Sequence, residues 1–176
     1  MEEFEPVPPD AGEARKRWQA GTDTFGRVYD VLLGVTTLTP YAEIATVAGC
    51  SPNAAKKHLD RLTDMGVARG DTESEPARYA RNEAYLEWQE ASRIAQECSV
   101  AEIIERVRAL ETQRSSYEEQ FGATDPATVS AFGSDDHDAV HERMEAVSDW
   151  QGIVRDIRLY ELAHRLAQND GHLLPV

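Results

Sequence analysis

The sharpest constraint on this chain is the run SPNAAKKHLDRLTDMG at residues 51–66, because both ends of a helix are written into it. Ser51 is a good N-cap, Pro52 suits the first helical position with its fixed φ, and Gly66 stands where a left-handed C-terminal glycine belongs. The spacing predicts a helix over residues 52–65. Within it Ala55, Leu59, Leu62 and Met65 recur at helical intervals, which predicts one buried stripe. The opposite side offers Asn53, Ala54, Lys56, Lys57, Asp60 and Arg61.

The neighbours fit around this helix. Pro40 opens a shorter helix behind Thr39, with Ile44, Ala45, Val47 and Ala48 as its apolar side, and Gly49-Cys50-Ser51 supplies a small-residue turn. After Gly66, Val67-Ala68-Arg69 turns extended, residues 71–76 form a polar turn, and Ala77-Arg78-Tyr79-Ala80-Arg81 returns as a strand with alternating arginines. Upstream, Asp23 or Thr24 caps a scaffold helix carrying Phe25, Val28, Val31, Leu32 and Val35. The order is helix, helix, turn, helix and a β-hairpin.

The stretch CSPNAAKKHLDRLTDMGVARG, completed by ARYARN, resembles the winged helix-turn-helix of ArsR-, MarR- and TrmB-type transcriptional regulators. Ser51, Asn53, His58-Leu59, Leu62 and Gly66 stand in the order those families use, and the likeness covers roughly residues 24–82. The resemblance implies a sequence-specific regulator that binds double-stranded DNA as a homodimer, with helix 52–65 in the major groove. Helical position then places Pro52, Asn53, Ala54 and Lys57 nearest the bases, with the capping Ser51 also among the DNA-binding residues. Lys56, His58, Arg61, Arg69, Arg78 and Arg81 fall on or near phosphates. The hairpin tip departs from the family pattern, since Asp71, Glu73 and Glu75 are acidic where many relatives are basic.

A formal charge of −14 argues at first against nucleic acid, whose backbone calls for cations. Its distribution reverses that reading: residues 1–38 carry −3, residues 39–82 carry six basic and six acidic groups, and residues 83–176 carry −11. Of only three lysines, Lys16, Lys56 and Lys57, two are adjacent on the proposed recognition helix. Abundant carboxylates with scarce lysine match the halophilic composition of a high-salt cytoplasm, where the Debye length shrinks to about 3 Å at 1 M salt. Screening of that kind shifts recognition from phosphate attraction toward base contacts, shape and a dimeric footprint.

The remainder reads as helical support. Residues 1–21 are assigned to a flexible N-terminal arm, in which Arg15-Lys16-Arg17-Trp18 serves either as a backbone grip or as a helix start with Trp18 packed. Residues 22–82 form the DNA-binding domain, residues 83–170 a coiled-coil-like helical extension for dimerisation, and residues 171–176 a tail. Asn82 is placed to cap a helix holding Tyr85 and Trp88. Ser99 and Glu102 form a capping box ahead of a heptad seam of Val100, Ile103, Val107, Leu110, Arg114, Tyr117 and Phe121, paired within or between chains. A break at residues 122–138 precedes a long apolar-periodic helix to residue 168, where Gly152 is a site for a kink or a close helix approach.

The fold class is therefore mainly α with a small β-hairpin wing. No stretch approaches the roughly 20 apolar residues of a membrane span, and a soluble cytoplasmic protein is expected. Cys50 and Cys98 are the only cysteines, which excludes a disulfide framework. His137 and His141 have metal-compatible spacing, but an acid-rich helix start accounts for them without a third ligand, so no metal or other cofactor is expected. With no phosphate-cradling glycine loop, nucleophile elbow or HExxH, no enzymatic activity is expected. The rival readings are a winged-helix adaptor for protein partners, and a ligand- or redox-sensing repressor using Cys50, the Tyr85/Trp88 region or His137/His141.

Overall fold

A computed structural model describes residues 11–130 and 137–174, and the chain divides into two compact units, Met1–Tyr85 and Leu86–Val176. It is mainly helical with one small antiparallel sheet. Among the described residues no helix is long and apolar enough to cross a membrane.

In the first unit α1 (Ala11–Gly21) and α2 (Thr24–Leu33) lead to the two-residue strand β1 (Thr39–Pro40). Helices α3 (Tyr41–Ala48) and α4 (Pro52–Asp64) follow, then strands β2 (Ala68–Asp71) and β3 (Arg78–Arg81). The sheet order is β1-β3-β2, with Thr39 opposite Tyr79 and Gly70 opposite Tyr79 on the other side. The third strand was hidden in the sequence because it is so short. Pro40 is not the first helical residue: it is extended (φ −56°, ψ 136°), lies opposite Arg78, and Tyr41 N donates to Ala77 O. An edge strand tolerates proline because no ladder donor is lost there.

Residues 11–21, read from sequence as part of a flexible arm, are helical, and their side chains anchor them. Trp18 Nε1 donates to Asp30 (2.9 Å), and Arg15 donates to the carbonyls of Thr46 and Val47 (3.1 and 3.2 Å). Arg27 takes the Ala48 carbonyl (2.9 Å), so two arginines satisfy the orphan acceptors at the end of α3. Gly49 then turns the chain at φ 64°, and a Cβ there would meet the Gln19 side-chain nitrogen at 2.4 Å.

The core of this unit gathers Val28 and Leu32 of α2, Ile44, Ala45 and Ala48 of α3, Ala55, Leu59 and Leu62 of α4, and Tyr79 of β3. Met65, expected as the fourth member of the α4 stripe, is instead 53% exposed. The helix stops at Asp64, Gly66 turns at φ 81°, and Val67 enters the core with its N–H on the Leu62 carbonyl (2.9 Å). Asn82 does not merely border the next helix, since its side-chain amide donates to the Gly66 carbonyl (2.8 Å).

Helix α5 (Glu83–Glu97) begins at the end of the first unit; in the second unit it contributes Ala91 and Ile94, α6 (Val100–Phe121) contributes Ile103, and α7 (His137–Gln168) contributes Ala163 and Leu166 to one cluster. At the other end Tyr117, Phe121 and Trp150 form a stack with centroid separations of 5.8–6.4 Å. The start of α6 thus meets the end of α7 and the end of α6 meets its middle, as an antiparallel hairpin requires. The seam on α6 is therefore taken up by α7 of the same chain, with Ile103 and Leu110 buried. Arg114 within it pairs along its own helix, Nη2 2.6 Å from Glu111 and Nε 3.3 Å from Glu118. The Ser99–Glu102 capping box is present, and the Ser99 hydroxyl and N–H hold the Glu102 carboxyl below its usual range. At Gly152 the helix runs on without interruption, and a Cβ would meet nothing within 4 Å.

Two stability outcomes follow. Leu62→Ala should lower the unfolding free energy by about 2–5 kcal/mol, whereas Met65→Ala should change it by less than about 0.5 kcal/mol, read from urea denaturation. Gly152→Ala, mid-helix and open to solvent, should stabilise the second unit by about 0.5–1 kcal/mol, and a loss of stability there would contradict the uninterrupted helix.

Candidate nucleic-acid interface

Helix α4 is held by its buried stripe, which fixes what its other side presents. Ser51 Oγ accepts from Ala54 N (3.3 Å), and Pro52 occupies the first turn where its missing donor is no loss. Ser51, Pro52, Asn53, Lys57 and Arg61 are exposed, while Ala54, Lys56 and His58 are half-buried. Asn53, Lys57 and Arg61 step by four and so share one exposed stripe.

The flanking groups divide into those free to meet a partner and those already engaged. Lys56 Nζ lies 2.8 Å from Asp60 Oδ2, and the Tyr79 hydroxyl donates a very short hydrogen bond to Asp60 Oδ1. Burial alone would raise the Asp60 carboxyl, but the hydrogen bonds from Lys56 and Tyr79 outweigh it and leave it below the usual carboxylate range. Burial, and next the Asp60 carboxylate, push the Tyr79 phenol up. Lys56 is thus partly neutralised on the helix, and the hairpin is bolted to α4 through Tyr79. Gly70 permits that approach: a Cβ there would stand 3.3 Å from Thr63 Oγ1 and 3.3 Å from the Tyr79 ring.

His58 turns toward α2, its ring edge-on to Phe25 at 5.6 Å, and not outward as its sequence position implied. Arg81 is a structural clamp rather than a surface cation, with Nη1 on the Leu33 carbonyl (2.6 Å) and Nε on Glu83 (2.6 Å). Arg69 and Arg78 are exposed, and the pairing of Arg69 with Ala80 and Asp71 with Arg78 puts both arginines on one face of the hairpin. Asp71 shares that face. It accepts from the Ser74 hydroxyl and N–H, and those bonds hold its carboxyl below the usual range.

Asn53, Lys57 and Arg61 are thus exposed along α4, Arg69 and Arg78 are exposed on the hairpin face opposite Tyr79, and His58 and Arg81 lie inside the architecture. The Tyr79–Asp60 link was missed from sequence. Its signal was the alternation Ala77, Tyr79, Arg81 opposite Gly70, which points an aromatic toward the preceding helix.

Other candidates are placed as follows. Cys50 is half-buried, and burial raises its thiol against the opposing pull of Arg27, so the reactive thiolate is disfavoured. Tyr85 packs against the core of the first unit. His137 and His141 are exposed on the first turns of α7, with His141 Nε2 3.8 Å from Glu145. Among the described residues no three metal-ligating side chains come together.

A family model described as a family of unknown function, DUF7342, matches residues 22–167, and the chain belongs to that family. No curated protein and no solved structure matched it.

Asp60 supplies a pH test. Its folded value lies below the unfolded value of about 3.9, so its stabilisation is complete above about pH 4 and is lost as pH falls through the folded value. The stability gap between the native chain and Asp60→Asn should be widest near neutral pH and narrow toward pH 3. A gap that stays constant across that range would contradict the Lys56–Asp60–Tyr79 arrangement.

Proposed function

We propose that this member of the DUF7342 family is a winged-helix transcriptional regulator that binds double-stranded DNA sequence-specifically, with α4 in the major groove. The observation that carries the reading is the exposed stripe Asn53, Lys57 and Arg61 on a capped helix whose other side is buried. Asn53 and Lys57, nearest the helix start, are the base-reading residues: asparagine pairs bidentately with adenine and lysine reaches the guanine edge. Arg61, Arg69 and Arg78 take the phosphates, and the β2–β3 hairpin acts as the wing.

Four cations per protomer make a small electrostatic footprint, so at most about −4 of salt slope is expected per protomer. A lone helix reads only a few base pairs. Two copies reading half-sites a helical turn apart give the specificity a regulator needs, which is why the proposal is a homodimer.

Selection of bound fragments from random duplexes, followed by fluorescence anisotropy in KCl, tests this directly. Asn53→Ala and Lys57→Ala should each weaken the selected site by about 1–3 kcal/mol and relax preference at one position. Arg78→Ala should weaken all sequences alike and make the salt slope shallower by about one. Selection that enriches no sequence, or affinities unmoved by Asn53→Ala and Lys57→Ala, would overturn the proposal in favour of a winged-helix adaptor for protein partners.

A further inference from the structure

The second unit contains an open groove of about 580 Å³ between α6 and α7, lined by Ile104, Val107, Arg108, Glu161, His164 and Arg165. Its size falls within the range of small-molecule sites. Its chemistry is unusual for its surroundings, because residues 83–176 carry 19 acidic and 8 basic groups.

Several other arginines in this unit are engaged. Arg93 pairs with Glu90 and Glu97, Arg114 pairs with Glu111 and Glu118, Arg106 lies over the Tyr160 ring, and Arg143 lies over the Phe121 ring. Arg108 and Arg165 make no ion pair among the described residues, as is also true of Arg155 and Arg158, but of these four only Arg108 and Arg165 line the groove. His164 lines it as well. Its Nε2 is shut off from solvent and has no hydrogen-bond partner among the described residues, a state shared by Trp150 Nε1 outside the groove. Ile104 and Val107 supply half-buried apolar surface beside these groups.

We infer that this groove binds a small apolar monocarboxylate. The two guanidinium groups offer planar donor pairs that match a carboxylate, and the hydrocarbon portion lies against Ile104 and Val107. Two arginines against Glu161 leave one unit of positive charge, which suits a singly charged anion better than a phosphate dianion. This inference concerns the second unit alone and stands whether or not the first unit binds DNA.

The full chain, at the lowest KCl concentration that preserves its helical ellipticity, should be titrated with hexanoate and phenylacetate by nuclear magnetic resonance. Phenylacetamide and inorganic phosphate serve as the uncharged and doubly charged comparisons. The expected result is saturable movement of the amides of residues 104–108 and 161–165 with the carboxylates, and binding at least about tenfold weaker for the amide and for phosphate. Arg108→Ala and Arg165→Ala, both at exposed positions, should each weaken carboxylate binding by about tenfold, and Arg158→Ala should leave it unchanged. The inference is overturned if neither carboxylate binds, if the shifts lie outside the groove, if phosphate or phenylacetamide binds as well, or if both arginine variants bind like the native chain.

Discussion

Burial of Ala55, Leu59 and Leu62 sets the rotation of α4, and nearly everything at the candidate interface depends on that rotation. A helix of 13 residues is marginal by itself in water, so its existence as well as its orientation rests on packing against α2, α3 and the sheet. With each residue turning the helix by about 100°, sealing positions 55, 59 and 62 leaves 53, 57 and 61 directed outward. The Tyr79–Asp60 bond then joins the hairpin to the same helix.

The electrostatics of that piece are set by what the fold consumes. Asp60 takes Lys56, Leu33 and Glu83 take Arg81, and the end of α3 takes Arg15 and Arg27. What remains is a small set of exposed cations, Lys57, Arg61, Arg69 and Arg78, in a chain of net charge −14. A surface this sparsely charged gains little from long-range phosphate attraction, and in concentrated salt it would gain less. In the proposed complex, discrimination would therefore rest on close contacts, where an asparagine and a lysine at a helix start have the right reach.

Local signals carried the elements that the sequence made legible. Ser51, Pro52 and Gly66 bracket α4 within one residue of its observed end, and the Ser99–Glu102 box marks the start of α6. Tertiary partners decided the rest. Met65 continues the apolar interval but lies beyond the last helical residue, so Val67 fills the core in its place. His58 and Arg81 look like surface cations until Phe25 and the Leu33 carbonyl, far away in sequence, claim them. The heptad seam on α6 gave its period correctly but not its partner, because an apolar stripe carries no label for the surface that will cover it.

The most direct measurement is a heteronuclear magnetic resonance titration of the full chain with its selected duplex. Amide shifts and slowed exchange should concentrate at residues 51–61 and at Arg69 and Arg78, with Leu59 and Leu62 still protected in the core. Perturbation confined to α6 and α7, or none at all across α4, would contradict α4 as the DNA-contacting helix.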